Sequence, residues 1–181
     1  MSSKVDRRVL TYELIGIFFI VILGSILHFT FEWSGNQPVV GVFSAVNESV
    51  WEHLKLAFWP TLLFALIEFA PLRKSVENFA LAKTVGVYLM VAIIPAIFYS
   101  YTAFTGESIF AFDIASFIVA VIIGQLVSYK LLTFRKLSAK LNWVAMASLL
   151  VLAAVFIAFT FFPPQAPIFQ DPISRQYGIH T

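Results

Sequence analysis

The charged residues of this chain stand too far apart for a protein that folds in water. Glu13 and Glu32 enclose 18 residues without a charge, Lys83 and Glu107 enclose 23, and Lys140 and Asp171 enclose 30. Glu107 and Lys130 enclose 22, broken only by Asp113. A helix rises about 1.5 Å per residue and the hydrocarbon layer is about 30 Å thick, so about 20 apolar residues make one crossing. Four crossings follow directly, with Pro163 and Pro164 ending the last. Composition closes the alternatives. Hydrophobic residues make up 60% and charged residues 12%, against about 45–50% and about 25% in soluble domains. A soluble globular enzyme and a disordered chain are excluded, and a net charge of +2 argues against a nucleic-acid partner. With no cysteine, disulfides, thiolate metal sites and Cys nucleophiles are also excluded.

A fifth crossing is less plain. Lys55 and Glu68 enclose only 12 residues. A helix from about Ser49 to Ala70 reaches the required length if it carries Glu52, His53, Lys55 and Glu68 at its two ends, with a kink at Pro60. The basic residues decide. Lys4, Arg7 and Arg8 precede the first span. Arg73, Lys74 and Lys83 separate the second from the third, and Lys130, Arg135, Lys136 and Lys140 separate the fourth from the fifth. If the second segment crosses, these ten of the 12 basic residues share one face, which the positive-inside rule makes cytoplasmic. The expected fold is therefore an all-α bundle of five transmembrane helices, near 11–32, 49–70, 79–103, 109–133 and 141–162. Its N-terminus is cytoplasmic and its C-terminus outside. It forms one membrane domain over residues 1–181, with an extended outer tail at 163–181, and belongs in the plasma membrane in contact with the lipid bilayer. No cleaved signal peptide is expected, because no small-x-small site closes the first apolar run. Trp33, Trp51, Tyr99 and Tyr101 are expected at the outer interface, Tyr12 and Trp143 at the inner one.

Ionisable groups in a bilayer are costly unless paired, so their positions point to function. On the inner side Glu13 and Glu68 lie near basic loops and read as snorkelling, ion-paired groups. On the outer side basic residues are scarce, yet His28 and Glu32 close the first helix and Asn47, Glu48, Glu52 and His53 open the second. Glu107 and Asp113 precede or open the fourth, and Asp171 and His180 lie in the tail. His28 and Glu32 share one helical face at i, i+4, as do Glu48 and Glu52, with Lys55 continuing that stripe. Imidazoles and carboxylates meeting at the mouth of a helix bundle suit Zn²⁺ or a similar divalent ion. A plainer reading competes. Ser49 and Glu52 fit a capping box, Asn47 is an alternative N-cap, and Asp113 can cap the fourth helix. His28 and Glu32 have no such account, since Gly35 can close the first helix.

Elsewhere the signals are structural. Ser116, Ala120, Gly124 and Ser128 on the fourth span, Ala147, Ala154 and Ala158 on the fifth, and Gly24 with Ser25 on the first predict close helix packing. Gln125 is expected to bond to a neighbouring helix. The apolar piece Pro38–Phe43 is too short to span and suits an interfacial dip or a lid. Ile168 and Phe169 suggest a tail that folds back across the outer mouth.

His28 to Asn36, Phe43 to Lys55, and Pro163 to Pro172 with Tyr177 and Gly178 together resemble a bacterial family of small five-helix membrane proteins, a domain of unknown function. The segment Asn47-Glu48-Ser49-x-Trp51-Glu52-His53 carries the most specific part of the resemblance. It implies the fold and the envelope location already derived, and no reaction.

Three functions fit. The first is an outward-facing pocket, formed by Glu32, Asn47, Glu48, Glu52 and Asp113, that binds a cation or small polar ligand and serves transport, with a homo-oligomer supplying what one chain lacks. The second is a membrane-embedded metal-dependent hydrolase of a lipid or envelope precursor, with His28 and His53 on a divalent metal such as zinc and Glu48 or Glu52 as general base. The third is a non-catalytic accessory or assembly protein. Convergence of His28 and His53 on one point separates them.

Overall fold

A computed structural model describes residues 3–179. Five long helices account for most of the chain: α1 (Ser3–Trp33), α3 (Val50–Leu72), α4 (Phe79–Thr105), α5 (Phe110–Leu132) and α6 (Ala139–Phe161). A single-turn helix, α2 (Pro38–Gly41), interrupts the loop after α1. All five long helices have the length and apolar content of a membrane crossing, and no strand occurs among the described residues. This is a multi-pass membrane protein. The first span starts eight residues earlier than the charge spacing suggests, because a charge marks the edge of the hydrocarbon, not the end of a helix. The outward faces carry apolar side chains such as Leu66 and Phe104, exposed by 74% and 93%. In water such a surface would aggregate; in lipid it is the solvated one.

Local chemistry sets the helix ends. Gly35 (φ 72°) and Asn36 (φ 61°) turn the chain out of α1, and their amides bond to the carbonyls of Glu32 and Phe31. Gly106 (φ 76°) does the same after α4. Ser49 caps α3, its hydroxyl accepting from the Glu52 amide at 3.4 Å. The capping box is only half made, since the Ser49 amide bonds to Asn47 Oδ1 at 2.9 Å. Asp113 is not a cap. It lies one turn inside α5, whose N-cap is Ile109.

Two close approaches hold the bundle. Between α4 and α5, a Cβ on Gly86 would stand 2.9 Å from the Gly124 carbonyl oxygen, and one on Gly124 2.8 Å from that of Gly86. The small residues Ser116, Ala120, Gly124 and Ser128 are all buried. Between α1 and α3, a Cβ on Gly24 would stand 2.5 Å from the Leu56 carbonyl oxygen. That oxygen is the one Pro60, lacking an N–H four residues on, leaves without its helical donor. Proline and glycine thus act together: one frees the carbonyl, the other lets α1 close upon it.

The small stripe on α6 behaves otherwise. Ala147, Ala154 and Ala158 are exposed, and α6 is buried through Ala145, Phe156 and Thr160. Spacing identifies a face but not which way it looks, and α6 lies at the side of the bundle. Trp51 is likewise no interfacial anchor. Its ring packs against Phe156, Phe159 and Phe169. Phe169 is part of the tail, which is not extended throughout. It makes a 3₁₀ turn at Pro167–Phe169 and a tight turn closed by Gln170 and Tyr177. Asn47 Nδ2 donates to the Gly178 carbonyl at 2.9 Å, tying the tail to the start of α3.

Glu13 and Glu68 do not snorkel. Both are fully buried and turn inward onto Lys83. The antiparallel register of α1 and α3 that sets residue 13 level with 68 also sets 28 level with 53. Fifteen residues, about 22 Å of helix, separate the two levels on each strand of the pair. About four turns lie between them, packed around a core that includes Ile20, Ala57 and Phe58.

Candidate metal centre

At the end of the bundle away from the basic loops, His28 comes from α1, His53 from the first turn of α3 and Glu48 from the loop before it. His28 Nε2 and His53 Nε2 are 3.1 Å apart, and Glu48 Oε2 lies 3.6 Å from the first and 3.5 Å from the second. A tetrahedral ion with bonds of about 2.0–2.2 Å separates its ligand atoms by about 3.3–3.6 Å. The two edges from Glu48 match that separation and the His28–His53 edge is somewhat shorter, so the three atoms outline a tetrahedral face narrowed at the imidazole pair. No fourth His, Cys, Asp or Glu joins them among the described residues, which leaves one coordination position to water or a bound ligand.

The α3 start arranges this. Ser49 caps the helix, and its carbonyl, already accepting from the His53 amide, also accepts from His53 Nδ1 at 2.8 Å. A carbonyl can only accept, so Nδ1 carries the proton and neutral His53 offers its Nε2 lone pair to the centre. His28 is held by packing, its ring centroid 4.8 Å from that of Phe29 and 5.0 Å from that of His53. Glu48 lies 3.6 Å from His28 and 3.5 Å from His53, and the imidazoles, His28 foremost, hold its carboxyl well below the usual carboxylate range despite partial burial. It is thus anionic in neutral and mildly acidic medium. The side chains stay 28%, 31% and 44% exposed for His28, His53 and Glu48, so an ion can reach them. Chemically the arrangement can share one proton between two imidazoles, or hold one dication among three donors.

The remaining residues singled out in the sequence lie elsewhere. Glu52 is buried and committed. Its Oε2 lies 2.5 Å from Lys55 Nζ and accepts from the Val46 amide at 3.0 Å. Asn47 anchors the tail and the Ser49 amide. Asp113 accepts from the hydroxyls of Tyr101 and of Ser108, the latter at 2.6 Å. Glu32 is exposed and bonds to none of these groups. His180 lies outside the described residues. Lys55, which spacing put on the Glu48–Glu52 stripe without assigning it a part in the site, is a fully buried ammonium that also donates to the Gly41 carbonyl at 2.7 Å and Thr160 Oγ1 at 2.9 Å.

A five-span bundle with a two-histidine, one-carboxylate cluster at one mouth defines a small integral membrane protein. The chain belongs to the family of unknown function DUF6512, whose profile matches residues 1–179. Comparison with curated proteins and with solved structures gives no match.

Proposed function

We propose that this protein binds a divalent transition-metal ion, of which zinc is the type, through His28, Glu48 and His53. The observation that supports this most is the spacing of the three donor atoms, 3.1, 3.5 and 3.6 Å, together with the Ser49 carbonyl that fixes the His53 tautomer. A hydrogen-bonded histidine pair alone would not require Glu48 beside both Nε2 atoms. We place the centre on the outer face of the plasma membrane, since ten basic residues collect at the opposite end of the bundle. Ion binding, as for reception or transport, fits better than hydrolysis. Glu48 is spent as a ligand, and Glu52 is tied to Lys55 and Val46 instead of standing free as a base.

The test is zinc titration of the metal-stripped protein in detergent against a chromophoric competitor. One equivalent per chain is expected in the wild type. Affinity should fall in His28→Ala, His53→Ala and Glu48→Gln by more than the about 10–100-fold that loss of an outer-shell partner costs. It should be unchanged in Glu32→Gln. Equal affinity in the wild type and the triple variant would overturn the assignment.

A further inference from the structure

A second polar station lies at the basic end of the same helix pair. Glu13 on α1, Glu68 on α3 and Lys83 on α4 are 0%, 0% and 3% exposed. Lys83 Nζ lies 2.5 Å from Glu13 Oε1 and also contacts Glu68 Oε1. From α5, Ser128 donates to Glu13 Oε1 at 2.9 Å, and Gln125 Nε2 donates to the Glu13 backbone carbonyl at 3.4 Å. Among the described residues no other ionisable group bonds to these three. Glu13 Oε2 and Glu68 Oε2 are buried with no hydrogen-bond donor directed at them, and Glu68 Oε1 meets Lys83 alone.

The charge count does not balance. Two carboxylates face one ammonium, and the excess negative charge is enclosed by protein on the one side and by lipid-facing helices on the other. An uncompensated ion in such surroundings either recruits a counter-charge or becomes neutral. A proton supplies both remedies, and the unpartnered oxygens are where it would sit. The two acids are unequal: Glu13 has donors from Lys83 and Ser128, while Glu68 has Lys83 alone. The proton belongs on Glu68, with Glu13 and Lys83 as the ion pair beside it.

We propose that Glu13, Glu68 and Lys83 form a membrane-embedded proton-binding site that holds one exchangeable proton, Lys83 serving as its fixed counter-ion. The site is independent of the metal centre about 22 Å away along the helices. It explains why a segment only just apolar enough to cross retains Glu68 near its end, since the acid is a ligand for the proton and not a marker of the interface.

Infrared spectroscopy of the full chain in lipid nanodiscs tests this through the carbonyl stretch of a protonated carboxylic acid. At neutral pH the wild type should show one such band per chain, and the band should shift in heavy water. Charge counting predicts its loss in Glu68→Gln and equally in Glu13→Gln, since either leaves one acid for one ammonium. Two bands should appear in Lys83→Met. Glu77→Gln, at an exposed pair with Lys136, should leave it unchanged. Glu68→Gln keeps the shape of the neutral acid, so the test stands even if Lys83→Met does not fold. No band in the wild type, or a band undiminished in both glutamine variants, would overturn the proposal.

Discussion

Replacing Lys55 by methionine should destabilise the protein far more than removal of any surface cation. Lys55 Nζ has three partners, Glu52 Oε2 at 2.5 Å, the Gly41 carbonyl at 2.7 Å and Thr160 Oγ1 at 2.9 Å, and so joins α3 to α2 and α6. The two side chains of the ion pair are 0% and 2% exposed. Methionine keeps the volume and removes the charge, so the Glu52 carboxylate is left buried with the Val46 amide as its one remaining donor. Breaking a buried pair by deleting one partner costs about 3–5 kcal/mol, whereas replacing both partners is often close to neutral. Lys136→Ala provides the contrast, because that residue and Glu77 are 69% and 56% exposed and such pairs are worth about 0–1 kcal/mol. Reversible denaturant unfolding in detergent micelles measures all of these. The expected order is Lys55→Met about 3–5 kcal/mol below wild type, Glu52→Gln with Lys55→Met recovering most of the loss, and Lys136→Ala within about 1 kcal/mol. A loss below about 1 kcal/mol for Lys55→Met, or a double variant as unstable as the single, would refute the reasoning that assigns Glu52 to structure.

Two further outcomes follow from the same geometry. Gly24→Ala puts a methyl 2.5 Å from the Leu56 carbonyl oxygen, so α1 and α3 must part, at about 1–3 kcal/mol. Zinc affinity should fall with it because His28 and His53 ride on those helices, whereas Gly106→Ala, with open space around it, should leave affinity unchanged. The Glu48 carboxyl is held below its ordinary value of 4.5, so its contribution to stability is present above that pH and lost as the pH falls through the depressed folded value. Acid unfolding of Glu48→Gln should therefore show a shallower loss below pH 4.5 than the wild type, and identical acid profiles would contradict this.

The bundle was legible because the bilayer imposes a single length, and a charge-free stretch either reaches it or does not. The second span was resolved by where Arg73, Lys74 and Lys83 would fall, a global constraint that no local propensity supplies. What sequence could not give was rotation and register. The alanines of α6 repeat at helical spacing yet face outward, because spacing carries no direction. Glu13 and Glu68 looked like interface groups, and only the α1–α3 register turns them onto one lysine. His28, Glu48 and His53 were candidates among several, and nothing in the sequence separated Glu48 from Glu52 on the same i, i+4 stripe. The N-cap decides that: Glu48 stands before the helix begins, so its carboxylate swings to the imidazoles, while Glu52 lies in the first turn and points to Lys55.

If two imidazoles and one carboxylate meet on one ion, X-ray absorption at the zinc edge of the purified, zinc-loaded protein should see them. The expected spectrum has two imidazole nitrogens with oxygen completing a four-coordinate shell at about 2.0–2.2 Å, and one imidazole fewer in His53→Ala. A shell of oxygen alone, unchanged by His28→Ala or His53→Ala, would contradict it.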